Sequence, residues 1–139
     1  MRYLLDTNVL SEPVKPTPNA RVLRRWRENA DRICTAAPVW SELLFGCYRL
    51  PDSKRRERFE HYVREILEPS FLVLPYDARA ADWHAAERAR LGSVGKTPPF
   101  SDGQIAAVAR TQDLILVTRN VRDFTDFEGL TIEDWARQA

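Results

Sequence analysis

Four short, largely apolar runs, at residues 3–5, 32–37, 71–74 and 114–118, constrain this chain more than any other feature, because each is too short to stand as a helix. Runs of this kind, bounded by polar or proline residues, read as strands. Between them lie stretches whose apolar residues recur three and four positions apart, the spacing of a helix with one buried face. Strands alternating with helices specify an α/β domain with a central, mostly parallel sheet flanked by helices, since a parallel neighbour needs a crossover connection.

The helices can be placed from their ends. One is expected from Asn19, with Val22, Leu23 and Trp26 on its apolar face and Arg21, Arg24, Arg25 and Arg27 turned elsewhere. Pro38 suits a first helical turn, where its missing N–H costs nothing, and Val39, Leu43, Leu44 and Cys47 follow before Pro51. A longer helix is expected from about Asp52 to Pro69, its stripe of Phe59, Tyr62, Val63, Ile66 and Leu67 serving either a core or a partner groove. Asp77 can cap a helix over 78–90, and residues 92–100, with two glycines and two prolines, read as a loop. Ser101 stands three residues before Gln104 in the form of a capping box, ahead of Ile105, Ala106, Val108 and Ala109. Residues 6–8 read as a polar turn, and 13–18, with three prolines, as irregular. The run 71–74 suits a strand buried on both faces, and 130–132 a short fifth strand at an edge.

With 139 residues and no repeat, low-complexity tract or linker, the chain 1–139 reads as one domain, large enough to bury a core. Its 44% hydrophobic and 29% charged content is that of an ordinary soluble globular protein. No apolar run nears the roughly 20 residues of a membrane helix. An acid at position 6 leaves no space for a signal peptide's apolar core, so no membrane association and a cytoplasmic setting are expected. Cys34 and Cys47 sit in apolar runs and read as buried, inert thiols, with no zinc-like spacing to any histidine. His61 and His84 lie in charged stretches and read as solvent-facing. The net charge of +1 argues against a pure nucleic-acid-binding module, though acidic metal ligands in an enzyme would cancel basic groups placed around them.

In parallel sheets, ligands gather beyond the carboxyl ends of the strands. Asp6 follows the first strand, Thr118-Arg119-Asn120 the fourth, Asp102 opens a helix, and Glu42 lies one turn into the helix after the second strand. Taken singly, Asp6 can simply end a strand, and Asp102 can gain roughly 0.3–1 kcal/mol from the helix dipole. Glu42 falls among Val39, Leu43 and Leu44, where an inward acid is costly unless paired or metal-bound. Gathered carboxylates repel one another without a cation, and an all-oxygen set favours magnesium, or manganese. Such a site suits in-line displacement at phosphorus with no general-base histidine.

At these positions the chain resembles a known family. Leu4-Leu5-Asp6-Thr7-Asn8-Val9-Leu10 is similar to the opening of PIN domains, and specifically of the VapC toxins of bacterial type II toxin–antitoxin systems. Trp40-Ser41-Glu42-Leu43 with Gly46 resembles the second motif and Ser101-Asp102-Gly103-Gln104-Ile105-Ala106-Ala107 the third. Val117-Thr118-Arg119-Asn120 with Asp123-Phe124 resembles the fourth, and Leu130-Thr131-Ile132-Glu133-Asp134-Trp135 the family's ending. The resemblance implies a three-layer PIN fold and a Mg²⁺- or Mn²⁺-dependent endoribonuclease. It implies too a homodimer whose active site a cognate VapB-type antitoxin occludes. Carried over by position, Asp6, Glu42 and Asp102 are the metal-binding acids, and Thr118 and Asn120 the polar positions of the fourth motif. Asn120 stands where some relatives carry an acid, so it and Asp123 compete to complete the site; Asn120 is expected to orient water or a ligand, with Asp123 behind it.

An RNA substrate needs positive charge beside the metals. Arg119 and Lys96 are the candidates, with the 54–58 cluster read as a solvated helix face and Trp40 and Phe100 as possible stacking surfaces. Two other readings use an acid after the first strand. A haloacid-dehalogenase-like phosphatase expects a second aspartate two residues on, where Asn8 stands; a non-catalytic acidic-pocket binding module expects a lysine after a late strand, where Thr118-Arg119-Asn120 stands.

Overall fold

The computed structural model describes residues 1–137. Its frame is a five-stranded sheet made of β1 (Tyr3–Leu5), β2 (Ile33–Ala36), β3 (Leu72–Leu74), β4 (Ile115–Val117) and β5 (Ile132–Glu133). Every pairing is parallel and the spatial order is β3-β2-β1-β4-β5. The chain therefore builds outward from β1 in one direction, then crosses back to lay β4 and β5 on its other side. The switch falls between β1 and β4, where Tyr3, Leu4 and Leu5 pair with Ile115, Leu116 and Val117. A crevice at the carboxyl ends of those two strands is the physical consequence.

Six helices complete a three-layer α/β fold. They are α1 (Thr7–Leu10), α2 (Ala20–Glu28), α3 (Ala37–Tyr48), α4 (Lys54–His61), α5 (Ala78–Ser93) and α6 (Phe100–Thr111). β1 and β2 are buried along their whole length, as continuous apolar runs between two helical layers must be. Within α6, the run from Ile105 to Ala109 is buried without a break. Trp135 is fully buried and meets the Tyr3 ring edge-on at 5.3 Å, so the chain's end closes the core beside β1. Both cysteines are buried free thiols, and burial pushes Cys34 up to about 11, which keeps it protonated and inert.

The structure corrects several expectations. Residues 7–10 are helical and not a turn, because Asp6 accepts the Thr7 N–H and starts α1 directly at the strand end. The capping box at Ser101 is not used: α6 begins one residue earlier, at Phe100 after Pro99, whose fixed φ already suits a helix entry. The preceding loop is shorter than residues 92–100, since α5 continues to Ser93. The run 71–74 is not buried on both faces; β3 is an edge strand with Leu72 56% exposed. The helix after Asp52 does not keep one pitch, for α4 widens at Tyr62–Leu67 into π geometry with a Glu68 N–H to Val63 C=O bond of 2.9 Å. That widening turns Ile66 outward while Tyr62 stays buried, its hydroxyl donating to the Leu10 carbonyl at 2.7 Å.

His84 is likewise not solvent-facing but 2% exposed, at the interface of α5 with α6. Its ring bonds Tyr76 Oη at 3.0 Å and stacks against Phe100 at 4.8 Å. Burial, then the nearby Arg88 charge, hold its pKa below the usual value, so the imidazole is neutral at pH 7. Gly103 of α6 faces this ring so closely that an added Cβ would overlap the imidazole. Replacing a mid-helix glycine by alanine ordinarily stabilises by roughly 0.5–1 kcal/mol. Here Gly103→Ala is expected to cost about 1–3 kcal/mol in urea unfolding, the usual size of an overpacking penalty. In a His84→Ala background the same change is expected to cost nothing, and an equal loss in both backgrounds would refute the packing argument.

Candidate active site

Asp6 ends β1 at the switch point and is only 6% exposed. Its backbone N–H continues the sheet by bonding the Val117 carbonyl at 2.9 Å. One carboxyl oxygen accepts the Thr7 N–H at 2.8 Å, and the other accepts the Thr118 hydroxyl at 2.8 Å. Thr118 is fully buried, and its oxygen in turn accepts the Asn120 backbone N–H at 3.0 Å. Asn8 spans the same crevice, accepting the Arg119 N–H at 3.1 Å with a longer 3.4 Å approach to Thr118 Oγ1. An asparagine occupied in this way ties two strand ends together, a role distinct from that of a second catalytic aspartate.

The other acids arrive on three further segments. Glu42, half-buried on α3, accepts the Thr7 hydroxyl at 3.1 Å, so Thr7 couples the first and second motifs. Asp102 sits in the first turn of α6, and Asp123 ends the 3₁₀ turn Val121–Asp123 that follows β4. Burial first, then the charges of Asp123, Asp6 and Glu42 in that order, push Asp102 up to about 6. Asp6 is raised as well, chiefly by burial; its bonds from Thr118 and Thr7 oppose this, and Glu42 and Asp123 add to it. No cation and no hydrogen bond stands among the influences on Asp102. Among the described residues no ion pair engages Asp6, Glu42, Asp102 or Asp123.

Among the described residues no three such side chains already stand at metal-ligating separation. The donor chemistry nevertheless fits a hard divalent cation, because the set is all oxygen and its mutual repulsion is uncompensated. Glu42 is tied to Thr7 beside Asp6, and the charges of both acids act on Asp102. Asp123 joins them as the largest charge acting on Asp102, whereas the Asn120 contact within the network comes from its backbone and its side chain is exposed.

The expected substrate cations are placed differently. Arg119 Nη1 lies 2.9 Å from Glu12 Oε2, and Lys96 Nζ is paired with Asp126 at 3.1 Å and not with any of the four acids. Glu12, 1% exposed, also takes Lys15 at 2.8 Å and the Asn19 N–H at 2.8 Å. Burial acts to raise its pKa, but these bonds and Arg119 outweigh it and hold the carboxyl below the ordinary range. Sequence reading passed over Thr7, Asn8 and Glu12. Thr7 and Asn8 were visible as neighbours of Asp6, but nothing in the spacing joins Glu12 to an arginine 107 residues away.

A family model described as the PIN domain matches residues 3–130. The tRNA(fMet)-specific endonuclease VapC of Shigella flexneri is 34% identical over 137 residues, covering 98% of this chain and 99% of that protein. Toxin FitB of Neisseria gonorrhoeae is 31% identical, with 95% and 97% covered. Among solved structures, FitAcB from Neisseria gonorrhoeae superposes with a TM-score of 0.86 at 30% identity, over 96% of this chain and 97% of that one. The DNA-bound VapBC of Salmonella typhimurium gives 0.83 at 31% identity, over 97% and 98%.

The uncompensated repulsion has a measurable cost in the cation-free protein. Asp102 in the fold titrates near 6 against 3.8 for the free side chain, so the native state binds the extra proton. Stability is then greatest below the unfolded value and falls as pH rises through about 6. Asp102→Asn removes that penalty. With a chelator at pH 7.5 its melting midpoint is expected to rise by about 4 °C, the effect of about 1 kcal/mol after discounting a half-buried group for solvent screening. The gain should vanish below pH 4; a lower midpoint for the variant at pH 7.5 contradicts the repulsion.

Proposed function

This chain belongs to the PIN-domain family, in its VapC group, and on that premise we propose that it is a metal-dependent endoribonuclease, the toxin of a type II toxin–antitoxin pair. The observation that carries this reading is that Asp6, Glu42, Asp102 and Asp123, from four separate segments, act on one another electrostatically while no ion pair among the described residues engages any of them. Mg²⁺, or Mn²⁺, is the proposed cofactor, with Asp6, Asp102 and Glu42 as its ligands and Asp123 completing the acidic ring. Such an ion, when bound, supplies the charge that polarises a phosphodiester and lowers the pKa of a water beside it.

The chain's own groups hold that arrangement. Thr118 and the Thr7 N–H each take one oxygen of Asp6 and so fix the plane of its carboxyl. The Thr7 hydroxyl does the same for one oxygen of Glu42. Asn120, its backbone anchored on Thr118, leaves an exposed amide to orient water or substrate. Arg119 uses one nitrogen on Glu12 and keeps further N–H donors for a phosphate, while Lys96 is left out of the contact set. A VapB-type antitoxin and a second copy of this chain are the proposed partners, after the VapBC and FitAB assemblies that the fold matches. No helix among the described residues is long and apolar enough to cross a membrane. The Shigella relative is named for tRNA(fMet), which makes transfer RNA the first substrate to assay.

Asp6→Asn and Asp102→Ala are each expected to reduce Mg²⁺-dependent RNA cleavage at least 100-fold with an unchanged circular dichroism spectrum. Full activity in either purified variant would sink the assignment. In cells, expression of the wild type without an antitoxin is expected to arrest growth and the Asp6 variant to relieve it; two harmless forms would exclude the toxin role while leaving nuclease activity to the purified assay.

A further inference from the structure

The acidic site is not closed on the side of α3 and α4. Thr7 and Glu42 line a cavity of about 240 Å³ together with Arg49, Arg55 and Phe59. A second cavity, of about 600 Å³, is lined by the same Arg55 and Phe59 and ends at Lys15 and Arg58. Ser11 is common to both and is held in place by donating its hydroxyl to the Thr7 carbonyl at 2.9 Å. The two cavities share Ser11, Arg55 and Phe59 and so adjoin along α4, with Glu42 of the acidic site at one end and Lys15 and Arg58 at the other.

Their lining is rich in arginine. Ion pairs among the described residues engage Lys15, Arg24, Arg25, Arg64, Arg90, Lys96, Arg119 and Arg137. Arg49, Arg55 and Arg58 are not among them. Arg49 lies over the Phe45 ring at 5.7 Å, which orients its guanidinium without neutralising it. Glu57, the nearest acid in sequence, lines a different cavity with Lys54, Arg58 and His61. An acidic centre thus opens into a channel with three uncompensated guanidiniums and a half-buried aromatic ring along it.

We propose that this groove is a subsite for single-stranded RNA, holding the phosphates and a base next to the bond presented to the acidic site. The proposal rests on the ribonuclease reading and adds to it where the strand lies. Four carboxylates repel a phosphodiester that comes within a Debye length, ~10 Å at about 0.1 M salt, so a strand that reaches them needs compensating cations along its approach. Guanidiniums suit that purpose because each can meet a phosphate with two parallel N–H bonds. Phe59 faces both cavities and offers an unpaired base a surface to stack on. An acidic protein segment shares the charge, but its carboxylates gain nothing from the groove's inner end, whereas a phosphodiester is the group the proposed chemistry requires there.

The test is binding of a labelled single-stranded RNA oligonucleotide to the purified chain in EDTA, paired with cleavage kinetics in Mg²⁺. Arg55→Glu with Arg58→Glu is expected to weaken binding at least tenfold and to flatten the dependence of log affinity on log salt by about 1.4, roughly 0.7 for each lost phosphate contact. KM should rise with kcat within about threefold. The neutral pair Arg55→Gln with Arg58→Gln should weaken binding several-fold, and Arg55→Lys with Arg58→Lys should retain most of it. Arg21→Glu with Arg79→Glu, an equal charge change at exposed sites on α2 and α5, should leave affinity within twofold. Unchanged affinity in the α4 variants overturns the proposal, as does an equal loss in the control pair. Displacement of RNA by poly-glutamate at equal concentration overturns it in favour of an acidic protein segment. If the wild type binds RNA through these arginines yet cleaves none with Mg²⁺ or Mn²⁺, the groove stands and the ribonuclease reading falls.

Discussion

The hydrogen bond from the Thr118 hydroxyl to Asp6 joins the ends of β1 and β4 at the one place where the sheet changes direction. Everything polar in the crevice is arranged around it. Thr118 is fully buried and must satisfy its oxygen internally, which it does by donating to Asp6 and accepting from Asn120. Asp6, fixed in this way, also starts α1, and α1 presents the Thr7 hydroxyl to Glu42. The topology dictates the crevice, and this pair of side chains converts it from a gap between strands into a site with a defined carboxyl orientation.

A second constraint is electrostatic. The chain is almost neutral overall, at +1, yet its charges are sorted. Asp6 and Glu42 receive neutral donors alone and the carboxyls of Asp102 and Asp123 no hydrogen bond among the described residues, whereas Glu12, only a few residues from Asp6, collects a lysine, an arginine and a backbone N–H. The contrast separates two uses of a buried acid. A carboxylate that collects a lysine, an arginine and a backbone N–H is held ionised and anchors structure, here the proline-rich segment against the loop after β4. A carboxylate raised by burial, with other carboxylates adding to the shift, is held in an unfavourable state that an added cation relieves. Burial alone does not distinguish them, because Glu12 and Asp6 are both almost fully buried.

Much of this was legible in the sequence, and the illegible part has a physical reason. Strand positions came from short apolar runs, and Pro38, Asn19 and Asp77 mark helix starts through local chemistry that acts within a turn. Asp6, Glu42 and Asp102 could be gathered on paper because strand ends and helix starts in a parallel sheet share an end. What failed depended on partners remote in sequence or on small changes of pitch. His84 looks like a surface histidine until Gly103 and Phe100, on another helix, enclose it. Leu72 lies in a run suited to an interior strand, and only the strand order shows that nothing covers its outer side. The π widening after His61 leaves no mark in the stripe of apolar residues, yet it decides that Ile66 faces out.

The span of the Thr118–Asp6 bond has a consequence for the chain as it is synthesised. Its partners are 112 residues apart, so the bond waits until Thr118, just after β4, has followed Asp6 out of the ribosome. Until β4 emerges, Asp6 has no neighbour on that side and only the local Thr7 N–H to direct its carboxyl. Contacts of such long separation also form slowly, since loop closure must precede any reward. The arrangement around Asp6 is therefore absent from every nascent fragment that stops before Thr118. Through the synthesis of those 112 residues Asp6 waits without the hydroxyl that fixes its second oxygen.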